Sequence, residues 1–469
     1  MNKIVQEGSN CNQILTILLA CLVGLTGGVL FAWPSPSIPR LLDGSHVVHV
    51  SLEEASYLTV LPPIAAVLSS FVFARLVDKI GRKRTLLFIG VPHVLAFALI
   101  AFGNSIWLFY LSRFITGIAD AAVFAALPMY VGEVATPQVR GSWGNAMAFS
   151  IFLGSSLMNV IGAYCSITVT ALILGIVPVV FFIVFCFMPE TPYYYIMKDK
   201  HEEAKIALQW LRQKEDVDEE FTEMLHAMKR QLAEPSKLKD LFVVKTNRNA
   251  IIAGGFSRFT QQFSGIAAFT VYSQYIFQVA GGFPAQTAAI LCSVVMTVFS
   301  FLSSFLLDKL GRRKAMFLSG IGCNLILIMM AIFFYLNMET NVDMSKLLWF
   351  PIAGMVIFII LFSLGLGMVP TLMLGELFSS SVKGNALAVM NILFGTYVAL
   401  STKIFQLLLS AFGLWSPFVF YSVCNLVGII VCYFILPETK GKTLDEIQLS
   451  MQGKKKEKAE AIKDCVNHI

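Results

Sequence analysis

The chain has 469 residues, 57% of them hydrophobic and only 14% charged, with a formal net charge of +6. Soluble domains carry roughly a quarter of their residues as Asp, Glu, Lys and Arg, so a soluble globular protein is excluded. The apolar residues fall in blocks of about 18 or more, long enough to cross a bilayer as helices.

The first block, roughly 14–34, is longer than a signal-peptide core, and Lys3 is its only basic flank, so it reads as span one. Spans two to six follow at roughly 54–76, 84–104, 106–131, 141–163 and 167–188. The segment 189–248 is rich in both charge signs; Glu202–Arg212 and Glu219–Leu232 within it have the spacing of amphipathic helices. Spans seven to twelve lie at roughly 249–278, 286–308, 315–336, 349–378, 385–411 and 415–436. The expected architecture is an all-α membrane protein of twelve transmembrane helices in two six-helix bundles. The expected parts are an N-terminal bundle at 1–188, a cytoplasmic helical linker at 189–248, a C-terminal bundle at 249–436 and a cytoplasmic tail at 437–469.

Basic residues set the orientation. The turn after span two holds Arg75, Lys79, Arg82, Lys83 and Arg84, and the turn after span eight holds Lys309, Arg312, Arg313 and Lys314. Loops on the opposite side hold only Arg40 and Lys346. The positive-inside rule then places both termini and the linker in the cytoplasm, with the plasma membrane as the expected residence. The tail run Lys454-Lys455-Lys456-Glu457-Lys458 reads as a solvated end. Nine cysteines are scattered without a CxxC pair, and His46 and His49 lack a third ligand, so no metal site or disulfide framework is indicated.

A ten-residue phrase occurs twice. Ala74-Arg75-Leu76-Val77-Asp78-Lys79-Ile80-Gly81-Arg82-Lys83 returns as Phe305-Leu306-Leu307-Asp308-Lys309-Leu310-Gly311-Arg312-Arg313-Lys314, with Asp78 and Asp308 230 residues apart. Two further echoes keep the same order. Gly132-Glu133 with Arg140-Gly141 is answered by Gly375-Glu376 with Lys383-Gly384, and Pro189-Glu190-Thr191 by Pro437-Glu438-Thr439. The chain is therefore a duplication, the layout of carriers built from parallel repeats with the substrate site between the halves. Carboxylates at these helix ends can cap a neighbouring helix or pair with arginine. Asp78, Arg82, Glu133, Arg140, Glu190, Asp308, Arg312, Glu376, Lys383 and Glu438 are the expected gating network, joined by Arg113 inside span four. Gly81 and Gly311 permit the sharp reversals.

With these motifs in place the chain resembles the sugar porter family of the major facilitator superfamily. The paired Asp-Lys-x-Gly-Arg turns, Arg113 with Gly117, Glu133 with Arg140-Gly141, Gln261-Gln262-Phe263-Ser264-Gly265 and Pro437-Glu438-Thr439-Lys440-Gly441 match its pattern in order. Trp33-Pro34-Ser35-Pro36 and Pro189-Glu190-Thr191-Pro192-Tyr193-Tyr194 resemble the insect branch that includes facilitated trehalose transporters. The resemblance implies a two-bundle carrier with a hexose or disaccharide site and alternating access. The chain departs from the pattern at several sugar-facing positions. Ala267 stands for an Asn, Thr371 for a Trp, Ala148 for a Gln, Phe394-Gly395 for an Asn-Trp pair, and Tyr193 for an Arg.

At the bilayer midplane, Gln261 and Gln262 lie about 18–20 Å along span seven at 1.5 Å per residue. Their amides offer donors and acceptors suited to hydroxyl groups. With Ser264, Tyr272 and Thr371 they form the expected substrate site, although glutamines at this depth also join helices. Gly365, Gly367 and Pro370 make span ten the expected hinge, with Gly255 and Gly265 loosening span seven. Pro62-Pro63, Gly24, Gly27 and Gly28 are expected to do the same in the first half.

Asp120 is the one candidate for proton coupling; span one carries no acid, and an internal pair with Arg113 or with another helix is the simpler expectation. Lys403 is expected to reach outward to the interface. The resulting expectation is a facilitative sugar carrier, electroneutral and pH-insensitive. Its partners are a small-molecule substrate and the lipid bilayer, with no cofactor, nucleic acid or obligate protein partner and no enzymatic chemistry. A same-fold carrier of a less polar solute, a proton-coupled sugar symporter and a transport-dead solute sensor are the alternatives.

Overall fold

The computed structural model describes residues 9–143, 145–233, 238–378, 382–440, 442, 446–447 and 451. Among them regular structure is helical, without strands. Among the described residues, eleven helices are long and apolar enough to cross a membrane. The remaining span, span seven, is cut into Lys245–Gln262, Ile266–Val271 and Ser273–Ala280. The first cut comes from Gly265, whose φ of +90° is open to glycine and forbidden to a helix interior. Gly255, also expected to loosen this span, sits inside an unbroken helix.

Span one is longer than the hydropathy suggested. Cys11–Ala32 runs through Trp33 into Pro34–Leu42, because Pro34 occupies a first-turn position whose missing N–H costs nothing. Span two, Leu52–Ile80, opens on a capping box in which Ser51 and Glu54 satisfy each other's backbone N–H groups. It runs through Pro62-Pro63 as one helix, so these prolines do not break it.

The small residues of span one serve contact. A Cβ on Gly28 would stand 1.9 Å from the Ile151 carbonyl oxygen, and one on Gly154 would stand 2.1 Å from that of Leu25. Spans one and five therefore touch backbone to backbone, the role small residues have in membrane bundles. Gly117 does the same against the Pro62 carbonyl, at 2.0 Å.

Span ten stops at Leu364 and restarts at Val369. The break is supported from span nine, Arg312–Glu339, where Ser319 donates to the Leu361 carbonyl at 2.6 Å and accepts from Leu366 N at 3.0 Å. Pro370 lies in the first turn of the second piece, and a Cβ on Gly365 would meet the Ala315 carbonyl oxygen at 2.2 Å.

The chain packs as two compact units. The first comprises Met1–Glu234, Ala268–Thr297 and Val398–Gln406; the second comprises Pro235–Ala267, Val298–Tyr397 and Leu407–Ile469. In the first unit, Tyr272 stacks on Phe405 with centroids 5.0 Å apart, and its hydroxyl lies 3.5 Å from that of Thr59. Ser156 and Thr297 share a hydrogen bond of 2.8 Å. Lys403 is held by partners within this unit. Its ammonium donates to Ser56 at 2.8 Å and Gln406 at 2.9 Å and stands over the Tyr57 ring.

The segment after span six folds into Pro192–Met197, His201–Arg212 and Asp218–Ala233 around Ile196, Leu208, Phe221 and Met224. Arg212 fixes it to span four by donating to the Val134 carbonyl at 2.9 Å while holding Glu220.

Candidate functional site: charged turns and a midplane guanidinium–amide cluster

The duplicated phrases fold into duplicated geometry. In the first unit Gly81 turns the chain with φ +105°, and Arg82 bridges Asp78 at 3.1 Å and Glu133 at 3.1 Å. Glu133 also accepts from the Thr191 hydroxyl at 2.6 Å. Glu190 accepts backbone N–H groups of Lys83, at 2.9 Å, and Thr191, at 3.0 Å, and so caps the helix Arg82–Phe102.

In the second unit Gly311 turns with φ +83°, Arg312 donates to Glu376 at 3.0 Å, and Thr439 donates to the same carboxylate at 2.5 Å. Glu438 accepts from the backbone N–H groups of Arg312, Arg313, Thr439 and Lys440 at 3.0–3.1 Å. Each half thus holds an arginine–glutamate–threonine triangle beside a glutamate-capped helix start. The two caps differ in their electrostatics. Burial pushes the Glu190 carboxyl above the usual carboxylate range despite its backbone donors. At half-exposed Glu438 burial also acts upward, but four backbone donors outweigh it and hold the carboxyl below that range.

Two expected members of this network have other partners. Arg140 donates to the Gly132 and Ala135 carbonyls and closes the end of Ile106–Val134. Arg113, 2% exposed, donates to the Leu58 carbonyl at 2.9 Å and the Leu30 carbonyl at 2.7 Å, with its guanidinium 5.6 Å from the Trp33 ring centre. It locks spans one, two and four together. The side chains of Asp308 and Lys383 lie outside those described.

The simple Arg113–Asp120 pair is not formed. Arg113 is committed to two carbonyls, and among the described residues Asp120 has no hydrogen bond or ion pair within 4 Å. The Asp120 carboxylate stands beside Gly27, where a Cβ would be 3.3 Å from it.

The midplane cluster lies in the second unit, at the breaks of spans seven and ten. Gln261 donates to the Gly367 carbonyl at 2.7 Å and accepts from Gln262 at 3.3 Å. It thereby fastens the end of one broken helix to the break of the other. Ser264, fully buried, spends its hydroxyl on the Gln261 carbonyl at 2.7 Å. Thr371 is exposed at the edge of the cluster. Tyr272 is not in this cluster; its hydroxyl contacts Thr59 in the first unit.

The sequence reading missed Arg258. Only 8% exposed, it donates from Nη1 to Gln261 at 2.8 Å and to Thr371 at 3.2 Å. Its guanidinium carbon lies 5.0 Å from the centre of the Phe394 ring, close enough for cation–π attraction. Phe394 and Thr371, two of the departures from the family pattern, are therefore contacts of this arginine. Phe259, Phe263 and Tyr397 form an aromatic wall in the same unit, with the first two stacked at 4.5 Å. The available signal was an arginine well inside span seven, the same rule about buried charges that had singled out Arg113 and Asp120. Ala148 lies half-buried in the helix Ala146–Tyr164, and Ala267 is 3% exposed.

Comparison with known proteins agrees with this architecture. The model of the family described as "Sugar (and other) transporter" matches residues 45–450. A facilitated trehalose transporter, Tret1, of Polypedilum vanderplanki is 32% identical over 94% of this chain and 88% of its own length. A Tret1-2 homolog of Drosophila sechellia is 31% identical over 96% of this chain and 94% of its own. Among solved structures, the partially occluded inward-open xylose transporter XylE from E. coli superposes with a TM-score of 0.77 at 18% identity, covering 92% of this chain and all of that one. The proton:xylose symporter XylE bound to 6-bromo-6-deoxy-D-glucose gives 0.76 at 20% identity, over 94% and 100% of the two chains. At these identities the likeness carries the fold, that of the major facilitator superfamily.

Proposed function

The chain belongs to the sugar (and other) transporter family and is a membrane carrier, not an enzyme; from that premise we propose that it passes a hexose or a trehalose-like disaccharide down its gradient by alternating access. The observation that carries this reading is the polar cluster at the helix breaks. Gln261, Gln262 and Thr371 set amides and a hydroxyl beside the interruptions at Gly265 and Gly365–Met368. Groups of this kind bind hydroxyls, and helix breaks are where a carrier's backbone can rearrange around a substrate. The trehalose named for the insect relatives supports a disaccharide. Gly365, Gly367 and Pro370 are the hinge in this reading. The two arginine–glutamate–threonine triangles are contacts that loosen when the carrier changes state.

The basic turns favour cytoplasmic termini, and the plasma membrane is the residence in this reading. Passive carriage follows from the lack of an acid in spans one and seven. Asp120, bare of hydrogen bonds among the described residues, is the place where proton coupling would enter. A second reading, a less polar solute, is favoured by Phe394 and the Phe259–Phe263–Tyr397 wall. Uptake of glucose, trehalose and an apolar solute panel by the purified protein in liposomes tests both. Saturable sugar equilibration supports the first, and saturable uptake confined to apolar solutes replaces it with the second.

A further inference from the structure

Arg258 differs from the other buried arginines in what surrounds it. Arg82 has Asp78 and Glu133, Arg212 has Glu220, and Arg113 has two backbone carbonyls. The partners of Arg258 are neutral side chains, an amide oxygen and a hydroxyl, and both are held by Nη1 alone. Its Nε is buried without an acceptor, and among the described residues no carboxylate stands within ion-pair distance and no bond engages Nη2.

Nε–H and Nη2–H share one edge of a guanidinium and form the fork that meets a carboxylate with two parallel bonds. Here that fork is vacant while the opposite edge is fixed by Gln261 and Thr371 and the face rests on Phe394. Arg258 lies about 14 Å along span seven from its start near Asn249, just short of Gln261. A cation at that depth is costly, and such charges persist where a counter-charge or a transported ion meets them.

We propose that the vacant edge of Arg258 anchors an anionic group on the substrate, so that the chain carries a sugar acid of the uronate or aldonate kind in preference to a neutral sugar. Gln261 and Gln262 then serve its hydroxyl groups, and Phe394 holds the guanidinium plane in place. A planar carboxylate with one charge matches the single fork and the single cation. This rests on the carrier reading above and puts a sugar acid in place of the neutral sugar at the same site. It also changes the electrical character of transport, because a monoanion moving alone carries charge across the membrane.

The test is tracer uptake by purified protein in liposomes of glucuronate, gluconate, glucose, trehalose and glucose 6-phosphate, first with the membrane potential clamped at zero. The expected result is at least tenfold faster saturable uptake of the two carboxylates than of either neutral sugar. An inside-positive potential should then raise carboxylate accumulation about tenfold per 60 mV and leave neutral sugars at equilibrium. Arg258→Gln should shrink the ratio of carboxylate to neutral uptake at least tenfold, and Arg258→Lys, which keeps the charge without the fork, should fall between.

Neutral sugars carried with the carboxylates excluded would overturn the inference and leave the carrier reading standing. So would an unchanged ratio in Arg258→Gln. Uptake of glucose 6-phosphate in place of the carboxylates would overturn the assignment of a carboxylate. No flux of any of the five, from protein that melts cooperatively, would overturn the sugar-carrier reading itself. The wild-type comparison stands even where a variant fails to fold.

Discussion

Alanine at the two turn glycines should not be equally damaging. Gly81 has φ +105° and ψ 162°, and Gly311 has φ +83° and ψ 154°. Both lie in a region essentially restricted to glycine, where a side chain costs about 1–3 kcal/mol. The surroundings differ. A Cβ on Gly81 would stand 2.3 Å from Glu190 Oε2, too close to keep, whereas one on Gly311 would stand 3.0 Å from Glu438 Oε2.

Gly81→Ala must therefore displace the Glu190 carboxylate, which is 6% exposed and accepts from Lys83 N and Thr191 N. Hydrogen bonds to a charged group contribute about 1.5–3 kcal/mol each. Adding the loss of one such bond to the backbone strain gives a cost of about 2.5–6 kcal/mol. Gly311→Ala requires a shift of a few tenths of an ångström at half-exposed Glu438, so its cost stays near the strain alone, about 1–3 kcal/mol. Thermal melting of the purified proteins in one detergent should place Gly81→Ala clearly below Gly311→Ala, and both below wild type. Equal melting of the two variants would refute the reasoning from the Glu190 contact.

Gln261→Ala removes a bond to the Gly367 carbonyl and the best acceptor of Arg258. It should raise the half-saturation concentration up to about tenfold, from a net loss of about 0.5–1.5 kcal/mol for a neutral bond. An unchanged transport curve at equal surface expression removes Gln261 from the site. Arg82→Ala should impair turnover more than delivery to the membrane, because it releases both Asp78 and Glu133; normal turnover would make the triangle a helix anchor only. The pH dependence has a sign. A carboxyl raised in the fold, as Glu190 is, stabilises most below its ordinary range and loses that contribution as pH climbs to its folded value. Glu438, lowered, keeps its contribution above the ordinary range and loses it as pH falls through its folded value. Glu190→Gln should therefore remove a decline in melting temperature on the alkaline side of the ordinary carboxylate range, and an identical pH profile in variant and wild type would contradict the burial argument.

Much of the molecule was legible in the sequence because membrane helices announce themselves by local composition. The spans, the duplication and the turn motifs needed only hydropathy and spacing, and the repeated phrases returned as matching hydrogen-bond networks at Arg82 and Arg312. What was not legible depended on three-dimensional approach. Glycines 24, 27 and 28 look the same in sequence whether they bend a helix or let one touch another, and only the distance from Gly28 to the Ile151 carbonyl decides between them. Arg113 was the expected partner of Asp120, but the Leu30 and Leu58 carbonyls took the guanidinium. The substitutions at Thr371 and Phe394 read as losses along the chain. In space they surround Arg258, a gain whose meaning needed its neighbours.

The central claim, passive carriage through this site, is tested most directly by liposome flux under an imposed pH gradient with the potential held at zero. A substrate found by the uptake panel should reach equal concentrations on both sides, with or without the gradient, in wild type and in Asp120→Asn alike. Accumulation above the outside concentration that follows the gradient and disappears in Asp120→Asn would contradict the account and make Asp120 the coupling residue.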